Sequence, residues 1–205
     1  MEPTSAAPAA FDPAGYPVQA EVVTPAQLDR WRVLQWIAAI PHFAILYVLR
    51  AALQVVAIIA WFAILFTGRY PEGLWDFSVG VMRWEWRAST YALFLHAKYP
   101  PFQLDSGEQD PGSEPALFAV SRPTERNRLT CALRIIWAIP AAFMAAVVGI
   151  GAAVVAVIGW FVVLFTGQWP DGMRSFLVRA LRLEQRFTAY QYLLVDEYPP
   201  FSLDA

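Results

Sequence analysis

The sequence is poor in the residues from which disulfides, metal sites and catalytic centres are built. It has one cysteine, Cys131, so no intrachain disulfide can form and the redox compartment is left open. Its two histidines, His42 and His96, have no cysteine or second ligand near them in the sequence. The sequence also has no nucleotide-binding loop, zinc-ligand spacing or catalytic triad. We therefore predict that the protein is not an enzyme and has no cofactor and no metal.

Charge is scarce as well. Charged residues make up 16% of the chain, against about 25% in soluble domains, and apolar residues make up 58%, against about 45–50%. The apolar excess is concentrated in two blocks, 33–66 and 133–165. Each block is longer than a bilayer-spanning helix, which needs about 20 residues. Nucleic-acid binding is disfavoured because the basic residues flank lipid-seeking segments. This composition predicts a multi-pass integral protein of the cell membrane.

The same pattern occurs twice in the chain. The stretch WFAILFTGRYPEGLWDF at 61–77 returns 99 residues later as WFVVLFTGQWPDGMRSF at 160–176. The first ten residues have no basic region and no apolar core, so we do not expect a signal peptide. The predicted organisation is a disordered tail (1–15), membrane repeat 1 (16–104), a polar linker (105–115) and membrane repeat 2 (116–205).

Each apolar block allows two structures. As one helix, the block 33–66 would be about 51 Å long, which exceeds the hydrocarbon core of about 30 Å. It would also place Arg50 near mid-membrane, at a cost of about 3 kcal/mol on insertion scales. As a helical hairpin, it would turn near Arg50, and the second block would turn near the Gly-Ile-Gly at 149–151. We favour the hairpin, while a long helix kinked at Pro41 and Pro140 stays open.

A helix end, a turn and a helix start follow each block. Glycine after Thr67 and Thr166 suits the left-handed residue that ends a helix, and proline suits the first turn of the next helix. The glycine and proline residues of this turn are Gly68, Pro71, Gly73, Gly167, Pro170 and Gly172.

The next predicted helices, 72–97 and 171–196, carry arginines on one face and aromatic or apolar residues elsewhere. This pattern is typical of a basic amphipathic helix in the membrane interface, with arginines on anionic headgroups. The candidate headgroup ligands are Arg83, Arg87, Arg179, Arg182 and Arg186. Alternation of apolar and polar residues at 16–23 predicts a short strand, for which 116–121 is the counterpart.

These motifs carry a resemblance to a known family. The runs Ile-Pro-His, WFAILFTGRYP, Arg-Trp-x-x-Arg-x-x-x-Tyr and Tyr-Pro-Pro-Phe resemble the bacterial membrane family known as domain of unknown function 4389. The resemblance covers nearly all of each repeat. Repeat 2 departs from it at Ala141, which stands for His42, and at Gln168, which stands for Arg69. The resemblance implies membrane location and no particular chemistry.

Three charged residues are unusual for their surroundings. Glu85 and Glu184 lie opposite the arginine face of their helices, and Arg50 lies inside an apolar block. An ionised group among apolar residues must be paired, protonated or wet. We interpret the three as candidates for buried charge pairs that dock neighbouring helices, with a proton or ion site at the repeat interface as the alternative.

The sequence thus predicts an all-α integral membrane protein of two tandem repeats. Each repeat has a long membrane helix or helical hairpin, a basic amphipathic helix and short extended segments. We expect a non-enzymatic scaffold or accessory subunit that binds anionic lipid, a membrane-protein partner or a second copy of itself. A small transporter or channel unit with a site at the repeat interface is the alternative.

Overall fold

The computed structural model describes residues 15–25, 29–123 and 126–203. The predicted disordered tail, apart from Gly15, lies outside the described residues. Within them the chain is mostly helical and has a small two-stranded sheet.

Each apolar block forms one continuous helix of 33 residues. Helix α1 spans Gln35–Thr67 and helix α4 spans Arg134–Thr166. A 3₁₀ turn, Arg30–Leu34, precedes α1, and a short helix α3, Arg128–Ala132, precedes α4. Both long helices are long and apolar enough to cross a membrane, and only 22% and 11% of their most apolar windows are buried.

The favoured helical hairpin is therefore wrong in both repeats. Helix α1 passes Arg50 without a break, because Glu85 neutralises the guanidinium and no turn into water is needed. Helix α4 likewise passes Gly149 and Gly151, where each glycine costs about 1 kcal/mol relative to alanine. The long apolar sequence on both sides keeps the helix intact across these sites.

The predicted helix end, turn and helix start are confirmed. Gly68 and Gly167 take left-handed backbone angles, with φ of 74° and 72°. Their amide groups donate to the carbonyls of Ile64 and Val163, each at 2.8 Å, which closes the end of the long helix. Helices α2 (Glu72–Ala92) and α5 (Asp171–Gln191) then begin directly after proline.

Helices α2 and α5 are five residues shorter than predicted. The chain leaves α2 through Phe94 and leaves α5 through Leu193, both of which have positive φ. The amide of Leu95 donates back to the carbonyl of Thr90 at 3.0 Å, and that of Leu194 to Ala189 at 2.9 Å. The same reversal ends both helices.

The two predicted extended segments are confirmed as strands. Strands β1 (Val18–Val22) and β2 (Ala116–Val120) pair antiparallel, and Val18 lies opposite Val120. Because one strand comes from each repeat, the sheet joins the two repeats.

The repeats are intertwined about an approximate two-fold axis. The indole of Trp61, near the end of α1, donates to the carbonyl of Cys131 just before α4, at 3.0 Å. The indole of Trp160, near the end of α4, donates to the carbonyl of Val33 just before α1, also at 3.0 Å. The start of each long helix thus lies beside the end of the other, so α1 and α4 run antiparallel.

Helix α2 does not form the surface-lying amphipathic helix that the sequence predicts. Every residue from Ser78 to Ala88 is buried, with α1 on one side and β2 and the linker on another. In the part of the chain that the structure describes, most large exposed apolar side chains belong to α1 and α4, and none belongs to α2 or α5. The molecule therefore has an apolar outer layer of long helices and a second layer made of α2, α5, the sheet and the linker.

Candidate functional site

The arginines of α2 bind the linker. Arg83 is fully buried, and its Nε donates to the carbonyl of Phe118 in β2 at 2.9 Å. Its two terminal nitrogens donate to linker carbonyls at 2.5–3.3 Å, and its Nε lies 3.3 Å from a carboxylate oxygen of Asp110. Arg87 pairs with Asp105 at 2.6 Å and with Asp110 at 3.2 Å.

The equivalent arginines of α5 are less buried than those of α2, and they likewise point toward the strand of the other repeat. Arg182 donates to the carbonyl of Ala20 in β1 at 2.7 Å and pairs with Glu21 at 2.5 Å. The guanidinium of Arg186 lies 5.6 Å from the ring centre of Tyr16. Arg179 donates to the Ser175 carbonyl of its own helix at 3.3 Å.

This arrangement corrects the assignment of the α2 arginines, Arg83 and Arg87, to lipid headgroups. Arg83 and Arg87 are enclosed by protein, because their charge is matched by acids and carbonyls of the linker. Arg182 holds the strand of the other repeat. In each repeat, one arginine, Arg83 or Arg182, therefore donates a hydrogen bond to the strand that the other repeat contributes to the sheet.

The three unusual charges meet at one site. Arg50 of α1 binds both carboxylate oxygens of Glu85 on α2, through Nε at 3.0 Å and through Nη2. Two of the three candidates for buried charge pairs, Arg50 and Glu85, thus bind each other. The Arg50 side chain remains 52% exposed, because its other side faces a cavity between α1, α4 and α5.

Glu184 of α5 lines the same cavity, which has a volume of about 790 Å³. Glu184 is exposed to solvent on the open side of the cavity. Partial desolvation by the surrounding helices raises the pKa of Glu184, the charge of Glu85 raises it further, and Arg50 acts in the opposite direction. Within the described residues Glu184 has no hydrogen-bonded or ion-paired partner of its own.

Within the described residues, no group of three or more His, Cys, Asp or Glu side chains is arranged to hold a metal ion. The free thiol of Cys131 is buried. Polar side chains of α1 and α5 converge instead at the cavity that contains Arg50 and Glu184.

The comparison with known families matches both repeats. The profile of the domain of unknown function DUF4389 matches residues 32–103 and residues 128–202. The chain belongs to the DUF4389 family. No curated protein and no solved structure matches the chain.

The DUF4389 motifs of repeat 1 meet at the start of α1. In the Ile-Pro-His run, His42 accepts a hydrogen bond at Nδ1 from the indole of Trp84, at 2.9 Å. Phe102 of the Tyr-Pro-Pro-Phe run stacks on the His42 ring with 4.1 Å between centroids. In repeat 2 both members of the histidine–tryptophan pair are replaced, by Ala141 and Leu183. The paired loss is consistent with a packing role for His42.

Sequence reasoning identified Arg50, Glu85 and Glu184 but missed their polar neighbours. Gln54 donates to the hydroxyl of Tyr192 at 3.2 Å at the edge of the cavity. Sequence reasoning also missed the linker acids Asp105 and Asp110 as partners of Arg83 and Arg87. The only signal for these partners was the surplus of acids in a segment between two basic helices, and spacing alone does not specify which charge meets which.

Proposed function

We propose that this DUF4389 protein is a non-enzymatic scaffold or accessory subunit attached to the membrane by the outer layer of α1 and α4. The observation that supports attachment is the exposure of this layer. The buried residues of α1 form one narrow seam against α2, at Ala39, Leu46, Leu53 and Ala60. The rest of the helix surface is apolar and open, which water-soluble monomers rarely tolerate over such an area.

We further propose that α1 and α4 lie along the membrane surface instead of crossing it. Glu85 and Arg83 are neighbours on α2 but point to opposite sides of it, Glu85 toward α1 and Arg83 toward the linker. The linker therefore lies at the same height along the helices as Arg50, the middle of α1. If α1 crossed the bilayer, the exposed linker residue Glu108 would be held at mid-depth, at a cost of about 3 kcal/mol.

Helices lying in the plane of the membrane avoid this cost. Packed helices are separated by about 8–10 Å, so α2 and then the linker would lie progressively farther from the lipid. The apolar layer would enter one leaflet to a depth of about 5–10 Å, as surface-bound helices do. Crossing of the membrane by both long helices, which makes the protein multi-pass, is the competing arrangement.

The two arrangements predict different depths along α1. Single cysteines at Ile40, Val48, Val55 and Phe62, in a Cys131→Ser background, would carry a fluorophore on the face away from α2. For in-plane helices we expect the same depth at all four sites, measured by quenching with lipids that are spin-labelled at shallow or deep carbons. The first and last sites are about 33 Å apart along the helix, so a crossing helix would give a depth profile that passes through the bilayer centre.

A cysteine at Ser106 in the linker is the matched control. Ser106 is exposed and lies at the height of Arg83. We expect no quenching there by either lipid. A deeply quenched label at Ser106, or a depth profile peaking near Val48 and Val55, would show that the helices cross and would refute the in-plane proposal.

In the in-plane arrangement, arginines at the ends of the outer layer contact the lipid headgroups. Arg30 precedes α1, Arg69 follows it, and Arg128 begins α3 beside the end of α1; all three are exposed. Each basic residue near an anionic surface contributes about 1 kcal/mol. The arginines of α5 on the face toward β1 would be remote from this surface.

We expect the double variant Arg69→Gln/Arg128→Gln to weaken binding to anionic vesicles by about 30-fold at low salt. Vesicle flotation at graded lipid concentration measures the partition constant. The control is Arg174→Gln/Arg179→Gln on α5, for which we expect less than a twofold change. A larger loss in the control than in the test variant would contradict the proposed orientation.

A transport role is the alternative, and one observation favours it. The cavity that contains Arg50 and Glu184 lies between elements of both repeats, where transporters built from repeats bind their substrates. Against it, the outer helices carry few polar residues besides Arg50 and Gln54 along their length. Solute flux in proteoliposomes that disappears in Glu184→Gln would support transport over a scaffold role.

A further inference from the structure

The cavity exists because the two repeats differ at one face of their long helices. Position 149 of α4 is equivalent to position 50 of α1. Where α1 carries Tyr47, Arg50 and Gln54, the equivalent residues of α4 are Ala146, Gly149 and Ala153. In α1 the arginine fills the space beside α2 and pairs with Glu85. In α4 the small residues leave that space empty.

Glu184 consequently lacks the partner that its equivalent has. Glu85 is bound through both oxygens by Arg50, whereas Glu184 faces Gly149 across the cavity. The site holds two carboxylates and one guanidinium. An added positive group beside Glu184 would balance the charge and restore the symmetric arrangement of two ion pairs.

An apolar cleft continues from the cavity along the membrane-facing layer. It has a volume of about 360 Å³, shares Gln54, Gln191 and Tyr192 with the cavity, and is lined mainly by apolar side chains. Those apolar residues include Ala57, Ile58, Trp61, Phe62 and Ile135. Arg134 of α4 also lines the cleft, and the guanidinium of Arg134 is paired with Asp196 at 2.9 Å. A polar compartment that opens into an apolar one fits a molecule with a charged head and an alkyl tail.

We propose that the cavity binds an amphiphile with an ammonium head, which pairs with Glu184 while its tail lies in the cleft beside Trp61. This inference deepens the proposed membrane attachment and rests on it, because the membrane supplies the amphiphile. Phe187 and Tyr192 line the cavity, and aromatic faces favour cations by about 0.5–2 kcal/mol. An anionic head would instead meet the unpaired carboxylate of Glu184, with an arginine whose Nε and Nη2 already bind Glu85.

The ammonium group has two sources, a zwitterionic ethanolamine phospholipid and a single-chain alkyl amine. The experiment uses the full-length protein in a neutral detergent, with phosphatidylethanolamine, dodecylamine and phosphatidylglycerol as probes. Native mass spectrometry counts the molecules retained per chain and their relative affinities. We expect one retained molecule of phosphatidylethanolamine or dodecylamine, with phosphatidylglycerol held at least tenfold more weakly.

Two variants locate the site. Glu184→Gln removes the charge at constant shape and should weaken retention at least tenfold. Gly149→Arg should abolish retention by supplying the missing guanidinium, and a side chain fits there because an added Cβ meets nothing within 4 Å. Arg179→Gln, on α5 but outside the cavity, should leave retention unchanged.

Several outcomes would overturn the inference: no retained amphiphile, equal retention of phosphatidylglycerol, or unchanged retention in Glu184→Gln. Vesicle flotation of the same variants separates this result from the proposed function. Glu184→Gln should bind vesicles as the unmodified chain does, since it leaves the outer layer of α1 and α4 unchanged. Failure of the unmodified chain to float would refute the attachment itself, whereas normal flotation without retention refutes only the site.

Discussion

Replacing Arg83 by methionine is expected to lower the free energy of unfolding by about 3–5 kcal/mol. Arg83 and its partner Asp110 are both buried, with 0% and 1% of their side chains exposed. Methionine would leave several linker carbonyls without a donor, while Asp110 would keep Arg87 as its ion-pair partner at 3.2 Å. Each buried carbonyl left without a donor costs about 1–3 kcal/mol, and the loss of one buried ion-pair partner adds to this cost.

The repeat offers a matched comparison for this variant. Arg182 occupies the equivalent position, but its side chain is 28% exposed and its partner Glu21 is 46% exposed. Arg182→Met should therefore cost about 1 kcal/mol, as partly exposed pairs do. Thermal unfolding in a mild detergent, followed by near-ultraviolet circular dichroism, measures both variants, and a difference of about 10 °C in Tm is expected. Equal losses would show that burial of Arg83 does not determine its contribution.

The second large effect is expected at Gly159. Alanine in place of glycine normally stabilises a helix interior by about 1 kcal/mol. At this position a Cβ would overlap the six-membered ring of Trp169, which is buried and stacks on Phe94 at 5.1 Å. We expect Gly159→Ala to lower the free energy of unfolding by about 2–3 kcal/mol, because the indole must move out of a packed site.

Repeat 1 indicates how this defect can be relieved. The equivalent residues there are Ala60 and Tyr70, both buried, so the larger residue on the helix is matched by a smaller ring. Adding Trp169→Tyr to Gly159→Ala should recover at least about 1 kcal/mol relative to the sum of the single variants. Gly149→Ala on the same helix is the control and should be neutral or stabilising, since no atom lies near its added Cβ. Additive losses in the double variant would mean that the two residues are not coupled.

The features that the sequence predicted correctly are local or repeated. Gly68 and Gly167 end their helices, because only a left-handed residue lets the amide return to the last turn. The strands at 18–22 and 116–120 follow from alternation of side chains over a few residues. These features depend on neighbours in the chain, and the second copy provides an independent instance of each.

The hairpin prediction failed because the sequence does not show which residue neutralises Arg50 within the folded chain. A charge without a partner requires water, and a turn at the membrane surface would supply it. The partner is Glu85, 35 residues away on α2, and the ion pair allows the helix to continue. The headgroup prediction failed for Arg83 in the same way, because the linker that surrounds it was read as a simple connection.

The two repeats, the apolar character of the long segments, the turns between helices and the family of the chain follow from the amino-acid sequence alone. The single long helix of each apolar block, the burial of α2 and the exchange of strands between the repeats became known from the folded chain. The difference lies in the range of the interactions. Backbone turns and side-chain periodicity act within a few residues, whereas the ion pairs of Arg50 and Arg83 and the empty space at Gly149 depend on segments brought together by folding.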